Sequence, residues 1–136
     1  TRSPMKIKFI LFDFYNVLYF PRENRINEEI IEFLQSNNRK YGFGLLSAVH
    51  IDLENWTKER KLNQYFQFVK TTEQLEVSKS EPDVYEMVAN SFALKPGQVL
   101  FVDDLPENIS AAKKAGLQTL LYRPTQCFSK QITQFL

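Results

Sequence analysis

Five short apolar runs alternate along the chain with stretches in which apolar residues recur at helical spacing. The runs predict strands at residues 6–14, 43–49, 65–69, 99–102 and 119–122. Their near-continuous hydrophobicity is typical of strands buried on both faces of a parallel sheet. Because strands that alternate with helices indicate βα units, we expect a three-layer, Rossmann-like α/β domain with a five-stranded parallel sheet.

The segments between the runs carry helix signals. Asn27 is expected to cap a helix whose first turn is acidic. Pro82 is expected in the first turn of another helix, where its missing N–H costs nothing. Helices are also predicted over residues 52–61 and 108–115, and the last dozen residues predict a terminal helix or tail.

Composition excludes several classes of protein. A hydrophobic share of 43%, with only 4 Gly and 6 Pro, argues against disorder and collagen-like repeats. A net charge of +1 gives no electrostatic basis for nucleic-acid binding, and no apolar run reaches the roughly 18 residues that span a membrane. The single cysteine allows no intramolecular disulfide and suits a reducing compartment. We expect one cytoplasmic domain over residues 5–136, preceded by a cloning remnant or disordered N-terminus at residues 1–4.

Acids and a hydroxyl stand where three of the predicted strands end. Asp13 ends the first run, Ser47 lies near the end of the second, and Asp103 and Asp104 follow the fourth. Ligands of open parallel sheets bind beyond the carboxyl ends of the strands, so these residues predict a shared site. Close carboxylates resist ionisation unless a cation shares the site, and oxygen ligands favour Mg²⁺. The single histidine, His50, argues against zinc.

A carboxylate beside Mg²⁺ can act as a ligand through one oxygen and as a nucleophile through the other. Phosphoryl transfer also needs donors to the phosphoryl oxygens, which a hydroxyl and a lysine can supply. Ser47 is the candidate hydroxyl, and Lys79, just before Pro82, is the candidate lysine.

Four segments, in order, resemble the motifs of the haloacid dehalogenase (HAD) superfamily. The resemblance covers about residues 6–122, and the ordered set is more specific than any single motif. The four segments are DFYNVL at 13–18, LLS at 45–47, KSEPDVY at 79–85 and FVDDLPEN at 101–108.

The resemblance implies a Mg²⁺ site. Its direct ligands would be the carboxylates of Asp13 and Asp104 and the backbone carbonyl of Tyr15. Asp103 and Asn108 would hold waters bound to the metal.

The resemblance also implies catalytic roles. Asp13 would be the nucleophile, and Ser47 and Lys79 would bind the phosphoryl group. Tyr15 departs from the pattern, because phosphatases of the family have there a second Asp that protonates the leaving group. Phenols ionise near pH ~10, a poor match for proton exchange at neutral pH, and general acid–base help is typically worth about 10²–10⁴-fold.

An Asp-x-Tyr first motif is instead similar to the 2-haloacid dehalogenases, from which halide leaves without a proton. Those enzymes resemble this chain poorly at the fourth motif, and they carry a helical cap. The gaps at residues 14–46 and 48–78 are too short to house a cap domain. A capless chain makes dehalogenation the weakest of the enzymatic hypotheses.

Three hypotheses follow for the function. The first is a Mg²⁺-dependent phosphatase that works through an aspartyl-phosphate. The second is a binding or regulatory module that keeps the fold and the metal site with little turnover, and the third is a dehalogenase or other carbon-centred hydrolase. An open site favours a bulky or macromolecular phosphorylated substrate, or a homo-oligomer whose neighbouring subunit covers the site.

Overall fold

The computed structural model describes residues 4–136, so the expected remnant at residues 1–4 lies, except for Pro4, outside the described residues. Two short 3₁₀ helices, Pro96–Gln98 and Thr133–Phe135, accompany the regular elements. In chain order the elements are β1 (Phe9–Phe12), β2 (Tyr19–Phe20), β3 (Arg25–Ile26), α1 (Glu28–Asn37), β4 (Gly42–Ser47), α2 (Leu53–Glu59), β5 (Phe68–Thr71), α3 (Thr72–Leu75), α4 (Asp83–Ser91), β6 (Val99–Asp103), α5 (Pro106–Lys114), β7 (Gln118–Leu121) and α6 (Phe128–Ile132).

The main sheet has the strand order β5-β4-β1-β6-β7, and all four strand pairs are parallel. The predicted five-stranded parallel sheet is therefore confirmed, and the first strand lies at its centre. In the register of the central strands, Phe12 lies between Leu45 of β4 and Val102 of β6. The residues that follow these three positions accordingly meet at one edge of the sheet.

Alternate residues of β1 supply two separate cores, one on each face of the sheet. Ile10 and Phe12 pack in the core that also holds side chains of α1, α2 and α6. Phe9 and Leu11 pack in the core formed with α4 and α5. Because both faces are covered, the molecule has the predicted three layers, and the strands read as continuous apolar runs.

The elements depart from the sequence-based prediction chiefly in the third strand, in a short hairpin and in α3, which was not predicted. The third strand was predicted at residues 65–69, but it spans Phe68–Thr71. The backbone N–H of Tyr65 instead donates to the carbonyl of Leu62 in a turn, and pairing with β4 begins at Phe68. The antiparallel hairpin of β2 and β3 was not predicted. Two-residue strands are too short to produce a recognisable alternation.

The two gaps between the first three sequence motifs hold only small elements. The hairpin and α1 occupy more than half of the first gap, and α2, β5 and α3 occupy about half of the second. No cap is present among residues 4–136, as the spacing predicted. In the same part of the chain, no helix is long and apolar enough to cross a membrane.

Gly44 lies where β4 approaches two buried side chains of β1. A Cβ at this position would lie 2.9 Å from the ring of Phe9 and 3.0 Å from Leu11, and the Phe9 ring is itself stacked on Phe92 with centroids 4.5 Å apart. We expect Gly44→Ala to lower the free energy of unfolding by about 1–3 kcal/mol, because overpacking a rigid core is destabilising.

The matched control for Gly44→Ala is Gly97→Ala. A Cβ there would meet the flexible and partly exposed side chain of Met5 at 3.0 Å, which can move aside. Its effect should stay within about 0.5–1 kcal/mol. Chemical denaturation of both variants measures the difference, and equal losses would contradict the packing argument.

Candidate active site

One buried ammonium group lies at the ends of three neighbouring strands. Lys79 Nζ is 2.5 Å from an oxygen of Asp13, 3.0 Å from an oxygen of Asp103 and 3.4 Å from the carbonyl of Leu46. The lysine is only 5% exposed. It therefore joins the carboxyl ends of β1, β6 and β4 at a point that is almost closed to solvent.

Backbone pairing fixes the two aspartates that face this lysine. Asp13 directly follows β1, and its N–H donates to the carbonyl of Val102 on β6 over 2.9 Å. Asp103 is the last residue of β6 and is fully buried. The two carboxylates belong to adjacent parallel strands, and the structure brings them together at one edge of the sheet, where the sequence analysis expected them.

Tyr85 on α4 positions the segment that carries Lys79. Its hydroxyl donates to the backbone carbonyl of Lys79 over 2.6 Å, and its buried ring packs against Phe101 with centroids 4.8 Å apart. The Lys79 ammonium also lies 5.5 Å from the centre of the Phe101 ring. Tyr85 was not among the residues predicted for the site, although a tyrosine on the inner face of the Pro82 helix is a signal that could have been used.

Asp103 is held by donors on several sides. Its carboxylate accepts from the side-chain amide of Asn108 and from the backbone N–H of Leu105, each over 3.0 Å, in addition to Lys79. Asp104 is only half-buried and stands closer to solvent. One oxygen from each of Asp13, Asp103 and Asp104 lies within 4.8 Å of the other two.

The crowding of negative charge perturbs two of these carboxyl groups. Burial raises the pKa of Asp13 from 3.8 to about 7; Lys79 opposes this rise and Asp103 adds to it. Burial, with a further contribution from Asp103, also raises the pKa of Asp104. Three carboxylates against one ammonium leave a formal charge of −2 when all are ionised.

The donor set fits a hard divalent cation. All three converging groups are carboxylates, and neither histidine nor cysteine belongs to the cluster. Oxygen-only donors of this charge suit Mg²⁺ or Ca²⁺ rather than a softer metal, and a +2 ion would balance the excess charge.

The other two residues predicted for the site lie at its edges. Ser47 is buried at the end of β4, one residue beyond Leu46, and its Oγ accepts from the N–H of Val49 over 3.1 Å. Tyr15 is half-buried two residues after Asp13, with its ring 5.3 Å from that of Phe14. The roles of the Tyr15 carbonyl and of the Ser47 hydroxyl stay predictions.

The sequence model of the family described as haloacid dehalogenase-like hydrolase matches residues 4–122. The chain belongs to this family. The match covers both halves of the sheet and every residue of the cluster formed by Asp13, Asp103, Asp104 and Lys79, and it confirms the resemblance seen in the four motifs.

Curated relatives of this HAD-like hydrolase match only parts of it. It is 35% identical over 65 residues to bifunctional epoxide hydrolase 2 of Rattus norvegicus. The aligned stretch covers 48% of this chain and 12% of that protein. It is 47% identical over 47 residues to enolase-phosphatase E1 of Drosophila mojavensis. That aligned stretch covers 34% of this chain and 19% of the relative. The chain thus spans less than a fifth of the length of either relative.

A solved structure has a similar fold over most of the chain. It is a HAD family enzyme of Bacteroides thetaiotaomicron in complex with magnesium and inorganic phosphate. The TM-score is 0.76 at 17% sequence identity, and the match covers 91% of this chain and 98% of the other. At that identity the likeness shows that the fold is shared.

The raised pKa of Asp13 predicts a pH dependence of stability in the metal-free protein. The folded state keeps a proton that the unfolded state releases above pH 3.8, so stability is lost as pH rises from about 4 through 7. Asp13→Asn removes this loss and leaves Lys79 paired with Asp103. We expect the variant to exceed the wild type in free energy of unfolding by about 2–4 kcal/mol at pH 8, and by less at pH 5.

Urea denaturation in a chelator at the two pH values measures this difference. The sign should reverse or the gap should narrow when excess Mg²⁺ is added, because a cation that binds the wild-type cluster stabilises its folded state. A difference that does not change with pH would contradict the assignment of the cost to the ionised Asp13.

Proposed function

We propose that this HAD-like hydrolase is a Mg²⁺-dependent phosphatase in which Asp13 forms a transient aspartyl-phosphate. The observation that carries the proposal is the buried Lys79 ammonium between Asp13 and Asp103, with Asp104 completing a carboxylate cluster at the sheet edge. The magnesium and inorganic phosphate in the solved structure of similar fold support it, as does the enolase-phosphatase among the relatives.

The cluster would hold the metal through Asp13 and Asp104, with the Tyr15 carbonyl as a third ligand. When bound, Mg²⁺ supplies charge neutralisation for the phosphoryl group. Asp103 acts as a positioning residue, because its oxygens are already engaged by Lys79, Asn108 and the backbone.

In the proposed reaction, each of three side chains has its own role. An oxygen of Asp13 attacks phosphorus, and the bond from phosphorus to the leaving oxygen breaks. Lys79 and the Ser47 hydroxyl donate to the phosphoryl oxygens, where preorganised donors stabilise developing charge. Water then attacks the phosphorus of the aspartyl-phosphate, which releases inorganic phosphate and restores the Asp13 carboxylate.

One observation keeps the binding or regulatory module as a second candidate. Tyr15 occupies the position of the family's proton donor, and its ring packs against Phe14 and, with centroids 6.2 Å apart, against Tyr19. A site that holds a metal and a phosphate but protonates no leaving group would hydrolyse slowly those substrates whose leaving group needs a proton.

Hydrolysis of p-nitrophenyl phosphate tests the proposed reaction, since its leaving group departs without a proton. We expect activity that depends on Mg²⁺ and is lost in chelator, and a loss of at least about 10³-fold in kcat for Asp13→Asn, which lacks the nucleophile. Glu32→Gln, an exposed change on α1, is the matched control and should leave the rate unchanged.

Each alternative has its own outcome in the same assay. Metal binding without hydrolysis by the folded wild type would favour the binding module. Chloride release from a 2-chloroacid, with no phosphate release from the aryl ester, would favour a dehalogenase.

Tyr15→Asp separates a phosphatase that merely lacks its general acid from a binding module. In a phosphatase, kcat/KM for an alkyl phosphate should rise by up to about 10²–10⁴-fold, because the departing alkoxide needs a proton. An aryl phosphate should gain little. The new carboxylate adds to the negative charge near Asp13 and could lower both rates, so the alkyl-to-aryl ratio at saturating Mg²⁺ is the quantity to measure. An unchanged ratio in a folded variant would favour the binding module.

A further inference from the structure

The side chain of Asn27 does not bind where its place at the start of α1 predicts. It stands at the N-cap, where asparagine normally stabilises its own helix, yet it forms no hydrogen bond with the first turn. Its amide group instead donates to the backbone carbonyl of Val17 over 2.9 Å and to the hydroxyl of Tyr122 over 2.8 Å. The consequences of these two bonds lie in the segments that they join.

The first of these segments is the loop at residues 13–18, which begins with Asp13 and carries Tyr15. The loop is closed on itself, because the backbone carbonyl of Phe14 accepts from three N–H groups, those of residues 17–19, over 2.9 to 3.3 Å. Both partners of each bond belong to the same short segment. The bonds therefore set the shape of the loop but not its position relative to the neighbouring strands.

Asn27 holds the far end of this loop at two points. Its backbone N–H donates to the carbonyl of Leu18 over 2.8 Å, and its side chain donates to the carbonyl of Val17. The near end is held by the bond from the N–H of Asp13 to β6. Asn27 is only 4% exposed, so water competes little for its bonds. The loop is thus fixed at both ends, with Tyr15 between them.

Tyr122 connects Asn27 to the strand that carries the other aspartates. It directly follows β7, is 3% exposed, and packs its ring edge-on against Phe128 with centroids 6.0 Å apart. Its hydroxyl accepts from Asn27, and its backbone N–H donates to the carbonyl of Asp103 over 2.8 Å. Asn27 and Tyr122 therefore join the loop after β1 to the end of β6, the two segments that supply the carboxylate cluster.

We propose that Asn27 is a positioning residue for the metal site, because it holds the loop at residues 13–18 against the Asp103 end of β6. The inference rests on the proposed function, in which the carbonyl of Tyr15 is the third ligand of Mg²⁺. Mg²⁺ demands near-ideal octahedral geometry, so a loop carbonyl binds it well only where the loop is already fixed. Groups that orient the ligands of a metal typically change its affinity by about 10- to 100-fold when they are removed.

Asn27→Ser tests this role without removing any proposed ligand. Serine is as good an N-cap as asparagine, so the variant can still cap α1, but its side chain is too short to reach Val17. We expect the Kd for Mg²⁺, measured by isothermal titration calorimetry on the folded protein, to rise at least about tenfold. Tyr122→Phe keeps the bond to Val17 and removes one neutral hydrogen bond, so the Kd should rise by about two- to fivefold.

The matched control is Asn37→Ser at the other end of α1. The amide of Asn37 donates to the backbone carbonyl of Phe33 over 3.0 Å, so the same substitution again removes a bond from a side chain to the backbone. This variant should leave the Kd for Mg²⁺ unchanged. Hydrolysis of p-nitrophenyl phosphate by Asn27→Ser should fall at low Mg²⁺ and recover at saturating Mg²⁺, which general damage to the fold would not produce.

The remaining outcomes separate this inference from the proposed function. A Kd for Asn27→Ser equal to that of the wild type overturns the inference alone, and so does an equal rise for Asn37→Ser. If Asn27→Ser does not fold, an unchanged Kd for Tyr122→Phe overturns it. If the wild type binds Mg²⁺ but hydrolyses no ester, the proposed phosphatase fails and the Kd values still decide the inference. A folded wild type that binds no Mg²⁺ overturns both.

Discussion

The buried ion pair of Lys79 with Asp13 and Asp103 is the interaction on which the architecture of the site depends. Burying charge is costly, and a buried pair is tolerated only when its remaining hydrogen-bonding capacity is also satisfied. The structure meets this condition, since no buried side-chain polar atom among the described residues lacks a partner. The hydroxyl of Tyr85 fixes the Lys79 backbone, and Asn108 fixes Asp103. The residue after β1, the end of β6 and the segment before α4 are thereby held to one point.

The same interaction leaves an excess of negative charge in the site. One ammonium cannot balance three carboxylates, so the proton on Asp13 is released only near pH 7 in the absence of another cation. A protonated carboxyl is a poor nucleophile. In the proposed reaction, burial would therefore make the nucleophilicity of Asp13 depend on a further positive charge, which a divalent ion would supply.

Features set by continuous apolar runs could be predicted from the sequence, whereas features set by single long-range contacts could not. Each central strand is buried on both faces, so its apolar run was visible, and the acids that follow β1 and β6 marked the sheet edge. Asn27 shows the limit. It stands at the N-cap of α1, but its amide donates instead to the carbonyl of Val17 and the hydroxyl of Tyr122, over 2.9 and 2.8 Å. Local propensity favours capping by Asn27, and no local sequence pattern indicates that its partner is Tyr122, 95 residues away.

The residue at position 15 affects the charge balance of the three aspartates. A second aspartate at its position would add another negative group to a cluster that already carries an excess. A tyrosine adds no carboxylate there, and its ring joins an aromatic cluster in which Phe14 also packs edge-on against Trp56, with centroids 4.7 Å apart. The substitution therefore exchanges a proton donor for hydrophobic packing and a smaller electrostatic cost. In the proposed phosphatase, such an exchange is compatible with turnover where the leaving group departs as a stable anion, and the chemistry of the leaving group, rather than the nucleophile, would then limit what the site hydrolyses.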